Sequence, residues 1–126
     1  MTPQMVKFLV EEVLENKARF VPTYGNTLMG LACSKPLDET YSVTYYAPEP
    51  RAVLRVVDGD DTSVEMGYGE YGRVELTTLT KEFFMPRFLE RDEAIRRRPR
   101  APYAWDGVAE VRPFGAMEKT IVEGVY

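Results

Sequence analysis

Apolar positions in the first fifteen residues recur at helical spacing. Val6, Leu9, Val10, Val13 and Leu14 form one stripe, with Lys7, Glu11, Glu12 and Glu15 mostly off it. Thr2 is placed to cap this helix and Pro3 to fill its first turn, where a missing N–H costs nothing. The pattern predicts an amphipathic helix packed on a sheet, ending at Asn16 and Lys17. Arg19-Phe20-Val21-Pro22 reads as a short extended edge, and Tyr24-Gly25-Asn26-Thr27 as a turn. Met29-Gly30-Leu31-Ala32-Cys33 is apolar and small, as where a backbone passes close to something.

From Tyr41 the period becomes two. Tyr41, Val43 and Tyr45 alternate with Ser42, Thr44 and Tyr46, which predicts a strand. Residues 52–57 predict a second strand, stopped by Asp58-Gly59-Asp60-Asp61. Residues 67–72 read as a glycine-punctuated loop. Residues 73–80 give the clearest strand, with Val74, Leu76 and Thr78 on one face. Residues 81–84 begin a helical turn that Pro86 interrupts, and residues 88–98 read as a short helix or an irregular loop. Residues 109–114 predict a last strand, and Ile121, Val122, Val125 and Tyr126 form an apolar tail. The expected fold is α+β, a small, mostly antiparallel sheet with an N-terminal amphipathic helix. One domain spans 1–126, with segments 1–40, 41–92 and 93–126.

The 126 residues suit one domain with a sizeable core. Sixteen Lys and Arg against twenty Asp and Glu leave a charge of −4, which argues against a general nucleic-acid binder. The absence of histidine removes Ser-His-Asp and Cys-His nucleophile systems, and a single cysteine, Cys33, cannot form an internal disulfide or a thiolate zinc site. Cys33 reads as a buried structural thiol. No membrane-length apolar run and no leader-like start are present, so the expected location is cytoplasmic.

Most chemistry-like clusters have simple readings. Asp58, Asp60 and Asp61 lack the spacing of a calcium loop and suit a solvated turn. Arg96, Arg97, Arg98 and Arg100 follow Glu90, Asp92 and Glu93, so the basic cluster reads as solvated or ion-paired. The 67–72 loop lacks the Gly-Lys-Ser/Thr ending of a phosphate loop.

Three stretches taken in order carry more information. They are Tyr24-Gly25-Asn26-Thr27, then Gly69-Glu70-Tyr71-Gly72-Arg73-Val74-Glu75-Leu76-Thr77-Thr78-Leu79-Thr80, then Arg87-Phe88-Leu89-Glu90-Arg91-Asp92. Together they resemble the later core of adenylate-forming ligases, in particular the phenylacetate–coenzyme A ligase and coenzyme F390 synthetase group. The middle stretch is close to that family's Gly-Glu-x-Gly-Glu-Leu-Val-Leu-Thr-Thr-Leu-Thr strand. The first resembles its Tyr-Gly-x-Thr-Glu, and the third its Arg-Tyr-Arg-Thr-Gly-Asp, matched outright at the first and last positions.

The resemblance implies an adenylate site. Tyr24 and Gly25 would line the adenine side, Thr27 would contact the α-phosphate, and Asp92 would accept from the ribose hydroxyls. Asn26, Met29 and Gly30 would border the acyl pocket. The implied cofactor is ATP or AMP, with magnesium in the parent enzyme. The implied partners are a carboxylic acid of aryl or hydrophobic type, coenzyme A, and the remainder of the ligase core or a second copy of the chain. The departures bear on activity. Leu28 stands where the family carries a magnesium-holding glutamate. The phosphate loop has no counterpart, and Lys119 lacks the Ser-Gly-Lys setting of the family's adenylation lysine. The chain is therefore expected to be an inactive fragment, the later part of an acid-activating ligase core that carries half of its nucleotide site. The alternative expectation is a non-catalytic binding module that meets another protein through its sheet and apolar tail, where aromatic residues are favoured.

Overall fold

The computed structural model describes residues 1–34, 37 and 39–115. The apolar tail, Lys119 and the side chain of Cys33 lie outside the described residues. The fold is a short N-terminal helix and a seven-stranded antiparallel sheet, in agreement with the α+β expectation.

Helix α1 runs over Pro3–Phe8, and the Thr2 hydroxyl accepts the Met5 N–H at 3.4 Å to cap it. It continues as a π-helical turn over Leu9–Val13, in which Leu14 N–H reaches back to Leu9 O at 2.8 Å. The wider turn holds one more residue than an α turn, so the apolar stripe falls out of phase beyond it. Val6 is fully buried, whereas Val13, expected on the same stripe, faces solvent. Glu15 and Asn16 take positive φ and end the helix where the sequence marks its stop.

The strands are β1 (Tyr24–Asn26), β2 (Gly30–Ser34), β3 (Thr44–Tyr46), β4 (Ala52–Val57), β5 (Tyr71–Leu79), β6 (Phe84–Arg97) and β7 (Gly107–Pro113). Their order across the sheet is β1-β2-β3-β7-β6-β5-β4, and every pairing is antiparallel. Strands β4 and β5 match the sequence expectation closely. They pair in unbroken register from Ala52 opposite Thr78 to Val57 opposite Arg73. Val74, Leu76 and Thr78 are all buried, joining Leu54, Val56, Ala94 and Val108 on the core side.

Three segments correct the sequence reading. Tyr24-Gly25-Asn26 is a strand rather than part of a turn, and Arg19-Phe20-Val21-Pro22 forms no strand. Residues 88–97 are neither helix nor loop but the body of β6, the longest strand, which continues across position 92. Local propensity hides it because the segment is charged. Cross-strand pairing supplies what propensity lacks, since Arg87 meets Glu75, Glu93 meets Arg112 and Arg96 meets Asp106. Pro86 is tolerated at a register shift, where Leu76 and Thr78 face Phe88 and Met85.

Candidate functional site

Strand β6 departs from regular pairing again at residues 90–92. Arg73 faces Glu93 while Glu75 faces Leu89, so β6 carries extra residues there. Such a bulge re-aims side chains and leaves backbone groups to be satisfied elsewhere. The Arg73 side chain does this by donating Nε–H to Glu90 O at 3.0 Å, and Phe114 N–H donates to Arg91 O at 2.8 Å. A second irregularity lies beside it on β7, where Glu93 faces Arg112 but Ile95 faces Ala109. Glu110 sits within that offset at φ 52°, a conformation that costs a non-glycine residue and persists only where its surroundings hold it.

Both irregularities border one cavity of about 310 Å³. Tyr24 from β1, Tyr45 from β3, Asp92 from β6, and Glu110 and Arg112 from β7 line it, with Val43 and Val111 as apolar wall. Three strands lie between β1 and β6 in the sheet order, yet Tyr24 Oη–H donates to Asp92 Oδ2 at 3.3 Å. The sheet curls so that its β1 edge closes over the bulge of β6. Asn26 reinforces the closure. Its Nδ2 donates to Glu90 Oε1, and its Oδ1 accepts the Met29 N–H at 2.8 Å, which shapes the turn between β1 and β2. Gly25 is required in that hairpin, because a Cβ there would stand 2.0 Å from Gly30 O.

The site is electronegative. Burial, then the charges of Asp92 and Glu90, push the Tyr24 phenol well above its ordinary value, so it stays protonated as a donor. Burial and the Asp92 charge raise the Glu90 carboxyl, against the opposing bond from Asn26. Glu110 Oε2 accepts the Tyr71 hydroxyl at 3.0 Å. Arg112 is held away from free service: its Nε donates to Glu93 Oε1 at 2.6 Å, and its guanidinium lies 3.9 Å over the Tyr71 ring.

Of the residues the resemblance singles out, the structure brings Tyr24 and Asp92 together at the cavity, with Asn26 bracing them from behind. Thr27 is exposed in the β1–β2 turn, Met29 is buried in the core, and Gly30 takes φ 83° beneath the Arg51 guanidinium. These three do not line the cavity, and neither do Gly25 and Asn26. Leu28, in the place of the family's glutamate, packs against the core. Among the described residues no cluster of His, Cys, Asp and Glu is arranged to hold a metal ion.

Three cavity neighbours escaped the sequence reading. Glu90 sits in a charged run that looks solvated until the segment is known to be a strand. Tyr45 is visible in the alternation from Tyr41 without any sign of a site. Glu110 carries no local signal at all.

The other clusters follow their simple readings. Arg96 pairs with Asp106 at 2.7 Å and Glu65 at 3.2 Å, Arg97 approaches Glu110 at 3.9 Å, and Arg98 lies 4.2 Å over the Tyr68 ring. Asp58 Oδ1 accepts the N–H groups of Asp60 and Asp61, which lower its pKa and close a turn. Among the described residues no helix is long and apolar enough to cross a membrane. The chain matches no protein-family model and no curated protein sequence.

Proposed function

We propose that the chain carries the nucleoside-binding half of an acid-activating, adenylate-forming ligase, with ATP or AMP as the nucleotide. The observation that supports this most is the meeting of Tyr24 and Asp92, 68 residues apart, at the wall of one cavity. The two positions belong to separate sequence motifs. An ionised carboxylate accepts a pair of ribose O–H bonds well, and a tyrosine offers a ring face beside it. The acid activated would be aryl or hydrophobic. The phosphate-gripping residues, magnesium and the adenylation lysine would come from the remainder of the core, so this chain alone binds without turnover.

Calorimetric titration with adenosine and AMP tests the reading. Asp92→Ala should weaken binding at least about tenfold, the scale of a lost charge-assisted hydrogen bond. Equal affinities in the parent and the variant would remove the assignment.

A second reading has its own observation. Met5, Phe8 and Val13 are each more than half exposed along the outer side of the N-terminal helix, and Leu31 is 67% exposed on β2. A run of apolar side chains facing water fits a surface that a partner protein or the rest of the core covers. Phe8→Glu should abolish any self-association seen in sedimentation. A monomer at every concentration, with or without the substitution, would exclude a second copy as that partner.

A further inference from the structure

The hydroxyl of Tyr45 has no assigned role and no hydrogen-bond partner among the described residues. The residue is 9% exposed, on the short strand β3, with its ring 5.5 Å from that of Tyr24 and tilted by 50°. Its neighbours differ in this respect: the Tyr24 hydroxyl donates to Asp92 and the Tyr71 hydroxyl to Glu110. Burial alone raises the Tyr45 phenol, with no charge or hydrogen bond contributing. The hydroxyl is also not sealed in the core. The buried side-chain atom left without a partner among the described residues is Ser42 Oγ, whereas Tyr45 belongs to the cavity wall. A buried ring thus presents an uncommitted O–H to the space that Asp92 and Glu110 also face. Open to the cavity rather than sealed, the hydroxyl is free to donate to a ligand that enters.

The surrounding charge limits what that is. Asp92 and Glu110 line the cavity and Glu90 stands behind Asp92. Arg112 is engaged by Glu93 and the Tyr71 ring, and the Met1 ammonium, also at the wall, donates to Val111 O at 3.4 Å. With the Arg112 charge already offset by Glu93, a phosphate placed here would meet two carboxylates against the Met1 ammonium alone. A hydroxylated, uncharged group meets acceptors on the carboxylates and a donor on Tyr45.

We propose that Tyr45 is a ligand-recognition residue of this cavity, donating its hydroxyl to an uncharged, hydroxylated ligand, and that the cavity excludes phosphate. This rests on the nucleoside reading for the identity of the ligand, whose sugar and base would enter while any phosphate stays outside.

Titration of the full chain and of Tyr45→Phe with adenosine and with AMP tests it, alongside thermal unfolding of both proteins. Wild type should bind adenosine at least as tightly as AMP. Tyr45→Phe should weaken adenosine about fivefold to tenfold, the scale of one hydrogen bond, with its midpoint of unfolding nearly unchanged. Tyr45 ring resonances of the wild type should shift on adding adenosine, a readout that does not depend on the variant folding. Equal adenosine affinity in wild type and Tyr45→Phe would overturn the role of Tyr45 and leave the proposed function standing. AMP bound much more tightly than adenosine would overturn the exclusion of phosphate. Failure of wild type to bind either ligand would overturn both readings together. A large drop in the unfolding midpoint of Tyr45→Phe with unmoved Tyr45 resonances would show that the hydroxyl serves the fold.

Discussion

The two ends of the sheet are built on different terms. At the β4–β5 end the register is unbroken, the buried side chains are β-branched or apolar, and the buried charge is fully paired. Glu75, 2% exposed, takes Arg55 on one oxygen at 3.1 Å and Arg87 on the other at 2.7 Å. At the β1–β6–β7 end the register breaks twice, Glu110 adopts a costly backbone angle, carboxylates crowd one another, and a tyrosine hydroxyl goes unpaired. Regular pairing satisfies every group internally and leaves nothing to offer a ligand. The irregular end keeps the Tyr45 hydroxyl uncommitted beside the carboxylates of Asp92 and Glu110.

The sharpest way to break this contrast is to remove the anchor's charge. Glu75→Ala strips the partner from two guanidinium groups and leaves a void in the ladder. Both arginines reach water, which limits the cost, so the expected loss is about 3 kcal/mol. Urea unfolding measures it, and a midpoint equal to that of the parent would show that the β4–β5 end does not depend on the ion pair.

Gly25→Ala attacks the other end. The added Cβ must push against Gly30 O, so the β1–β2 hairpin opens and Tyr24 moves off Asp92. The expected stability loss is smaller, about 2 kcal/mol, the range of an overpacked site. Nucleoside binding should be lost altogether while the β4–β5 amides keep their hydrogen-exchange protection. Loss of protection across the whole sheet would mean that the two ends are one cooperative unit.

The same contrast governs what could be read from the sequence. Strands β4 and β5 were legible because Val, Leu and Thr recur with a period of two and turn residues bound them. Strand β6 was illegible because Arg87, Glu93 and Arg96 look like a solvated run until Glu75, Arg112 and Asp106, distant in sequence, are seen to pair with them. The helix was legible, but the π-helical turn that exposes Val13 depends on packing rather than on periodicity. Of the candidate site, Tyr24 and Asp92 came from motif resemblance. Glu90, Tyr45 and Glu110 depend on bulges and on the curl of the sheet, which no local pattern of residues encodes.

The smallest expected effect concerns the crowding of carboxylates, and its sign is informative. Burial and the charge of Asp92 raise the Glu90 carboxyl above the ordinary glutamate value. A raised value means that the folded chain holds this proton more tightly than the unfolded chain. The resulting stability is fully present below the ordinary glutamate range and is lost as pH rises through the raised folded value. At neutral pH the ionised Glu90 therefore works against the fold. Glu90→Gln removes the charge while keeping an oxygen to accept from Asn26, so it should stabilise the protein modestly near neutrality. Its advantage should shrink as the solution is taken from about pH 7 to about pH 4, where the parent regains its proton. Thermal midpoints of both proteins across that range measure the gap. A constant gap would assign the effect to packing, and a less stable variant at neutral pH would show that Glu90 is held in place by a favourable charge, making the irregular end as well paired as the regular one.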